Sequence, residues 1–148
     1  MKKIAFFTVL VIGVTLVLSC KSTPQEIDDA FSRVWNRYRN GIVMEGAQSY
    51  TVRSGDTLSR ISNTQYGSGF YYPLIMLASS DIVQDPDKIQ PGMVLTIPDL
   101  QRNLNDVRAR SFMRNAMLEC ADIEEERRGN AATAQGLRDL AATLTLIP

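Results

Sequence analysis

Three aspartates stand where catalytic carboxylates could pair: Asp56, Asp85 and Asp87. Two carboxylates across a cleft can hydrolyse a glycosidic bond, one as acid and the other as base or nucleophile. Each of the three, however, sits in a turn or helix-start motif, Gly55-Asp56-Thr57 or Asp85-Pro86-Asp87. Aspartate is expected there anyway, because its short side chain bonds nearby backbone. The chain has no histidine, so the usual general base and the commonest metal ligand are both missing. Cys120 falls midway along an expected helix, where a lone thiol behaves as a small buried apolar group. It could pair with Cys20 only if Cys20 were neither modified nor removed. These residues predict no enzyme, no cofactor and no metal site.

Length and charge narrow the classes further. The chain of 148 residues allows one compact domain, or one small module with helical flanks. Sixteen basic residues balance sixteen acidic ones, so the basic face that nucleic-acid binding requires is not expected. At the N-terminus, Lys2 and Lys3 precede an apolar run over residues 4–18, and Ser19-Cys20 closes it. A basic start, a short apolar core and a small residue form the pattern of a secretory signal. The run is shorter than the roughly 20 apolar residues that span a bilayer. Val17-Leu18-Ser19-Cys20 resembles the lipobox of bacterial lipoproteins, with Leu18 bulkier than is usual at its position. That resemblance implies a signal over residues 1–20, lipidation of Cys20 and a lipid-anchored protein of the bacterial cell envelope facing the periplasm. An uncleaved N-terminal anchor ranks second. Three acyl chains would hold far more firmly than the marginal binding of one.

Local patterning gives the elements. Residues 21–48 read as a spacer and one amphipathic helix over residues 25–40. Thr23-Pro24-Gln25-Glu26 has the form of a capping box with proline at the first helical position. Ile27, Ala30, Phe31, Val34, Trp35 and Tyr38 follow at helical spacing. Trp35 and Tyr38 could touch a glycan or a membrane, but a whole stripe is better matched by a packing helix. Residues 50–52 and 94–97 read as strands, and residues 58–65 and 70–78 as helices. Residues 99–148 read as a helical hairpin. Its first helix carries Leu100, Leu104 and Val107, then Ala109, Phe112, Met113, Ala116, Met117, Cys120 and Ile123. Glu124-Glu125-Glu126 and Arg127-Arg128 read as solvated charges before a Gly129 stop, and Asn130 as the cap of the last helix. The Met113–Met117 stripe is core if it meets the Trp35 helix and a protein-partner surface if it is exposed.

Residues 49–98 carry the decisive pattern. Val52 leads through Gly55-Asp56-Thr57-Leu58 into a helix, and Asp85-Pro86-Asp87-Lys88-Ile89-Gln90-Pro91-Gly92 leads out of a second helix into a last strand. This segment resembles a LysM domain. The resemblance implies an α+β fold: a βααβ module, with two helices on one side of a two-stranded antiparallel sheet, between an N-terminal helix and a C-terminal helical hairpin. It also implies binding of N-acetylglucosamine-containing peptidoglycan in a groove between the loops over residues 54–59 and 79–90. The residues it points to are Gly55, Asp56, Thr57 and Leu58 on one loop, and Ser79, Ile82, Val83, Gln84 and Ile89 on the other. Backbone amides and carbonyls in facing loops would pair with the N-acetyl group, and Leu58, Ile82 or Ile89 would receive its methyl.

Structural roles compete at the same positions. Gly55 also fits a role set by its backbone angles alone, Asp56 a helix cap, and Leu58 and Ile89 core positions. Two features depart from the family: Ala78-Ser79 stands where Ala-Asn is common, and Tyr66-Gly67-Ser68-Gly69-Phe70-Tyr71-Tyr72 lies between the helices. The reading is a non-catalytic lipoprotein that links peptidoglycan to a membrane. The alternative is an envelope scaffold whose helical flanks bind a protein partner, with the LysM-like module only localising it.

Overall fold

A computed structural model describes residues 22–145. The apolar leader and Cys20, expected as a signal and a lipidation site, lie outside the described residues.

The first helix, α1 (Pro24–Tyr38), starts at the expected capping box. The Glu26 N–H donates to Thr23 Oγ1 at 3.3 Å, and the Thr23 N–H donates to the Glu26 carboxylate at 2.7 Å. These bonds satisfy two donors that a helix start otherwise leaves unpaired. Ala30, Phe31, Val34 and Trp35 are buried along one face. A 3-10 turn over Arg39–Gly41 replaces the expected last α-turn. Gly41 there lies against the Phe112 ring, which leaves no room for a Cβ.

β1 (Gln48–Thr51) pairs antiparallel with β2 (Val94–Ile97), placing Tyr50 opposite Leu95. Val52 extends the pairing just past the strand: its N–H donates to the Met93 carbonyl at 2.8 Å, and its own carbonyl accepts from Gly92 at 2.9 Å. α2 (Leu58–Tyr66) ends at Gly67, whose φ of 80° is the left-handed conformation that glycine adopts without strain. One 3-10 turn, Gly69–Tyr71, leads into α3 (Tyr72–Ser79). Residues 72–77 are all buried, because α3 lies between β2 on one side and α5 on another. Met76 and Leu77 therefore join Leu74 and Ile75 in the core.

The C-terminal part holds three helices. α4 (Leu100–Asn105) and α5 (Val107–Glu126) are separated at Asp106, where one continuous helix was expected. Asp106 adopts an extended conformation, and its carboxylate accepts the Ala109 N–H at 2.8 Å. That local bond competes with helix continuation. Val107 consequently leaves the apolar stripe and is 69% exposed. Asn103, fully buried, fixes the preceding link by accepting from the Val43 N–H at 2.8 Å and donating to the Val43 carbonyl at 2.9 Å. α6 (Ala131–Leu144) follows the Gly129 turn and packs along α5 as a hairpin.

One core joins the βααβ unit to its flanks. Phe31 and Trp35 of α1 stack at 5.6 Å, and Met113, Met117 and Cys120 of α5 are fully buried in the same cluster. The methionine stripe is thus core. Fully burying a Phe or Met side chain contributes about 1.5–3 kcal/mol, which adds to the small core of a module near the limit of independent stability. Among the described residues, no helix is long and apolar enough to cross a membrane.

Candidate functional site

The turn into α2 is built from its own side chains. Asp56 does not cap the helix; Thr57 does, its Oγ1 accepting the Arg60 N–H at 3.2 Å. The Asp56 carboxylate instead accepts the Arg53 N–H and the Tyr50 hydroxyl, each at 2.8 Å. Those two donors, the Arg53 N–H foremost, hold its carboxyl below the usual carboxylate range. Gly55 sits at φ 83°, with nothing within 4 Å of where a Cβ would be. Its backbone angles explain it.

The facing loop, residues 80–89, is tied to the helical flanks. The Trp35 indole N–H donates to the Gln84 carbonyl at 2.7 Å, and the Ser32 hydroxyl to the Gln84 side chain at 2.8 Å. Arg39 pairs with Asp81, and Lys88 with Asp28. Arg128 sits at the centre, its side chain only 13% exposed. It pairs with Asp85, with Asp87 at 2.8 Å and with Glu124 at 3.2 Å, and it lies 4.9 Å over the Phe31 ring. Burial pushes the Glu124 carboxyl above its ordinary value, although Arg128 opposes the shift. Asp85, Asp87 and Glu124 share one guanidinium, so no two of them are placed as a free acid and base.

Between the two loops lies a cleft of about 690 Å³, within the roughly 300–1,000 Å³ usual for ligand sites. Of the residues expected at the site, Asp56, Thr57, Leu58 and Ile89 line it together. The other five stand outside its lining. Gly55 is in the adjoining turn. Ser79 staples α3 to β2, its Oγ accepting the Thr96 N–H at 2.9 Å. Ile82 is 49% exposed, Val83 is buried, and Gln84 is engaged by α1. The helical flanks contribute wall residues that local reading missed, among them Ile27, Arg127, Arg128, Asn130 and Thr133. Glu124 and Arg128 read as solvated charges in the sequence but are buried or nearly so. Their carboxylate and aromatic partners lie about 40 to 100 residues away, apart from the Glu124–Arg128 pair itself, whose i,i+4 spacing was the available signal.

The strand–helix–helix–strand order and the two facing loops occupy the segment that resembles a LysM domain. A family model described as the LysM domain matches residues 50–98. Residues 50–98 are a LysM domain. Over 53 residues, 36% of this chain, the sequence is 51% identical to the potassium binding protein Kbp of Escherichia coli O6:H1. A second relative, an uncharacterized protein of Deinococcus radiodurans, is 43% identical over 53 residues. These matches span 36% and 20% of the two relatives' lengths. Residues of the LysM domain and of the helical flanks both line the cleft. Among the described residues, no group of three His, Cys, Asp or Glu side chains is placed to hold a metal ion.

Proposed function

We propose that this chain is a non-catalytic protein of a bacterial cell envelope, whose LysM domain binds the N-acetylglucosamine-containing glycan of peptidoglycan. The observation that carries the reading is the meeting of Asp56, Thr57 and Leu58 with Ile89 in one cleft of ligand-binding size. Ile89, partly exposed, offers apolar contact for an N-acetyl methyl, whereas Leu58 is 3% exposed and belongs to the core. Lipid on Cys20 would hold the chain at a membrane, facing the periplasm. Tethering would raise the effective concentration of a weak glycan site.

The cleft carboxylates support binding over hydrolysis. Asp85, Asp87 and Glu124 all face Arg128, and Asp56 is engaged by Arg53 and Tyr50. The relative named for potassium binding does not change this reading, because Asp85, Asp87 and Glu124 already face the Arg128 guanidinium. A protein partner docked on the methionine stripe is disfavoured, since Met113 and Met117 are core.

The test is retention of the full chain, in detergent, on insoluble peptidoglycan. Thr57→Trp would fill the cleft from the LysM side, with circular dichroism monitoring its fold. Retention of the parent and loss in the folded variant is the expected result. A folded parent that stays in solution would overturn the reading.

A further inference from the structure

We infer that the carbohydrate site is composite: the α5–α6 junction forms its second wall, and Arg127 and Thr133 contact the bound sugar. The inference rests on the glycan reading of the cleft and extends it beyond the LysM domain.

Three observations carry it. First, the cleft that holds Thr57 and Ile89 is also lined by Ile27, Arg127, Asn130 and Thr133. A ligand that fills this cleft therefore meets residues of the helical flank. Second, the flank wall has unused hydrogen-bonding capacity. Asn130 Oδ1 is occupied by the Thr133 N–H at 3.3 Å, and Arg128 by its three carboxylates. Among the described residues, no ion pair engages Arg127 and no hydrogen bond engages the Thr133 hydroxyl, and both side chains are half-buried. A guanidinium offers five donors and a hydroxyl one donor with two acceptor sites. Together they match the hydroxyl and acetamido groups of an N-acetylhexosamine.

Third, the two walls are fixed to each other. Arg128 joins the turn after α5 to Asp85 and Asp87 of the LysM loop, and Lys88 joins that loop to Asp28 of α1. A wall held in place before the ligand arrives saves the ordering cost that a mobile loop would add on binding. The helical flank is thus both the clamp on the LysM loop and a contact surface.

The experiment is a titration of the full chain in detergent with the tetramer of β-1,4-linked N-acetylglucosamine, followed by calorimetry. Thr133→Trp would fill the cleft from α6 without touching the LysM domain, and Arg127→Ala would remove the free guanidinium. The expected result is a rise in Kd of about tenfold or more for Thr133→Trp, equivalent to about 1.4 kcal/mol, and a smaller rise for Arg127→Ala, with unchanged thermal midpoints. Tetramer binding at parental affinity in both folded variants would overturn the composite site and leave the glycan reading standing. A parent that binds no tetramer would overturn both. If Thr133→Trp does not fold, Arg127→Ala decides: unchanged affinity overturns the inference, and weakened affinity with an unchanged thermal midpoint supports it.

Discussion

Trp35 donates its indole N–H to the Gln84 carbonyl at 2.7 Å, joining the first helix to the LysM loop across 49 residues of sequence. The bond is part-buried: Trp35 is fully buried, whereas Gln84 is exposed, so water can reach the carbonyl side. Trp35→Phe keeps an aromatic ring but leaves that acceptor unpaired. The expected loss is about 0.5–1.5 kcal/mol, together with some packing loss. Urea denaturation followed by far-ultraviolet circular dichroism measures it, and an unchanged midpoint would show that the bond contributes nothing.

Arg128 is the point at which removing a single group should cost most. Asp85 and Glu124 are buried and face it. Arg128→Met would leave both carboxylates without their cation, a change that typically costs about 3–5 kcal/mol. Glu124→Gln in the same background should recover part of the loss, since one of the stranded charges is then gone. If the double variant is no more stable than Arg128→Met, the guanidinium is not compensating Glu124.

Ser79 occupies a position where the LysM family commonly has asparagine, and here it acts as a staple. Its Oγ accepts the Thr96 N–H at 2.9 Å and donates to the Thr96 carbonyl at 3.3 Å. Ser79→Ala should cost about 1–3 kcal/mol, because the freed groups of β2 lie in a part-buried site. The denaturation midpoint should fall with the urea m-value unchanged. A changed m-value would place the effect in the compactness of the chain instead.

Asp56 makes a pH-dependent contribution of known sign. Its carboxyl is held below the usual range by the Arg53 N–H and the Tyr50 hydroxyl. A group whose folded value is depressed stabilises the fold above its unfolded value and loses that effect as pH falls through the folded one. The parent should therefore exceed Asp56→Asn in stability at pH 7. The gap should narrow as pH drops below about 4, the ordinary aspartate value. A gap that stays constant from pH 7 to pH 3 would contradict this. Thermal melts of both proteins across that range supply the measurement.

Local chemistry was legible in the residue order. The Thr23–Glu26 capping box and the β2 span are both properties of a few neighbouring residues. So was the pairing of two loop motifs at a distance that suits a βααβ module. Asp106 escaped notice because the apolar spacing on its two sides is continuous, while its local carboxylate bond breaks the helix. Thr57 took the cap expected of Asp56, since either side chain can serve and the Arg53 N–H and Tyr50 hydroxyl engage Asp56 instead.

Residue order was enough to place most of the helices and strands, to show that histidine chemistry is absent, and to identify the module at residues 50–98. Those properties depend on hydrogen bonds and periodicity within one or two turns of chain. Tertiary structure alone decided what the second wall of the cleft is made of. The burial of Arg128 and Glu124, the engagement of Gln84 by Trp35 and the meeting of Thr133 with Thr57 in one cleft all require distant segments to meet. A charged residue looks the same in sequence whether it faces water or three buried partners. Its role is set by the long-range packing of α1, α5 and α6 around the LysM loop.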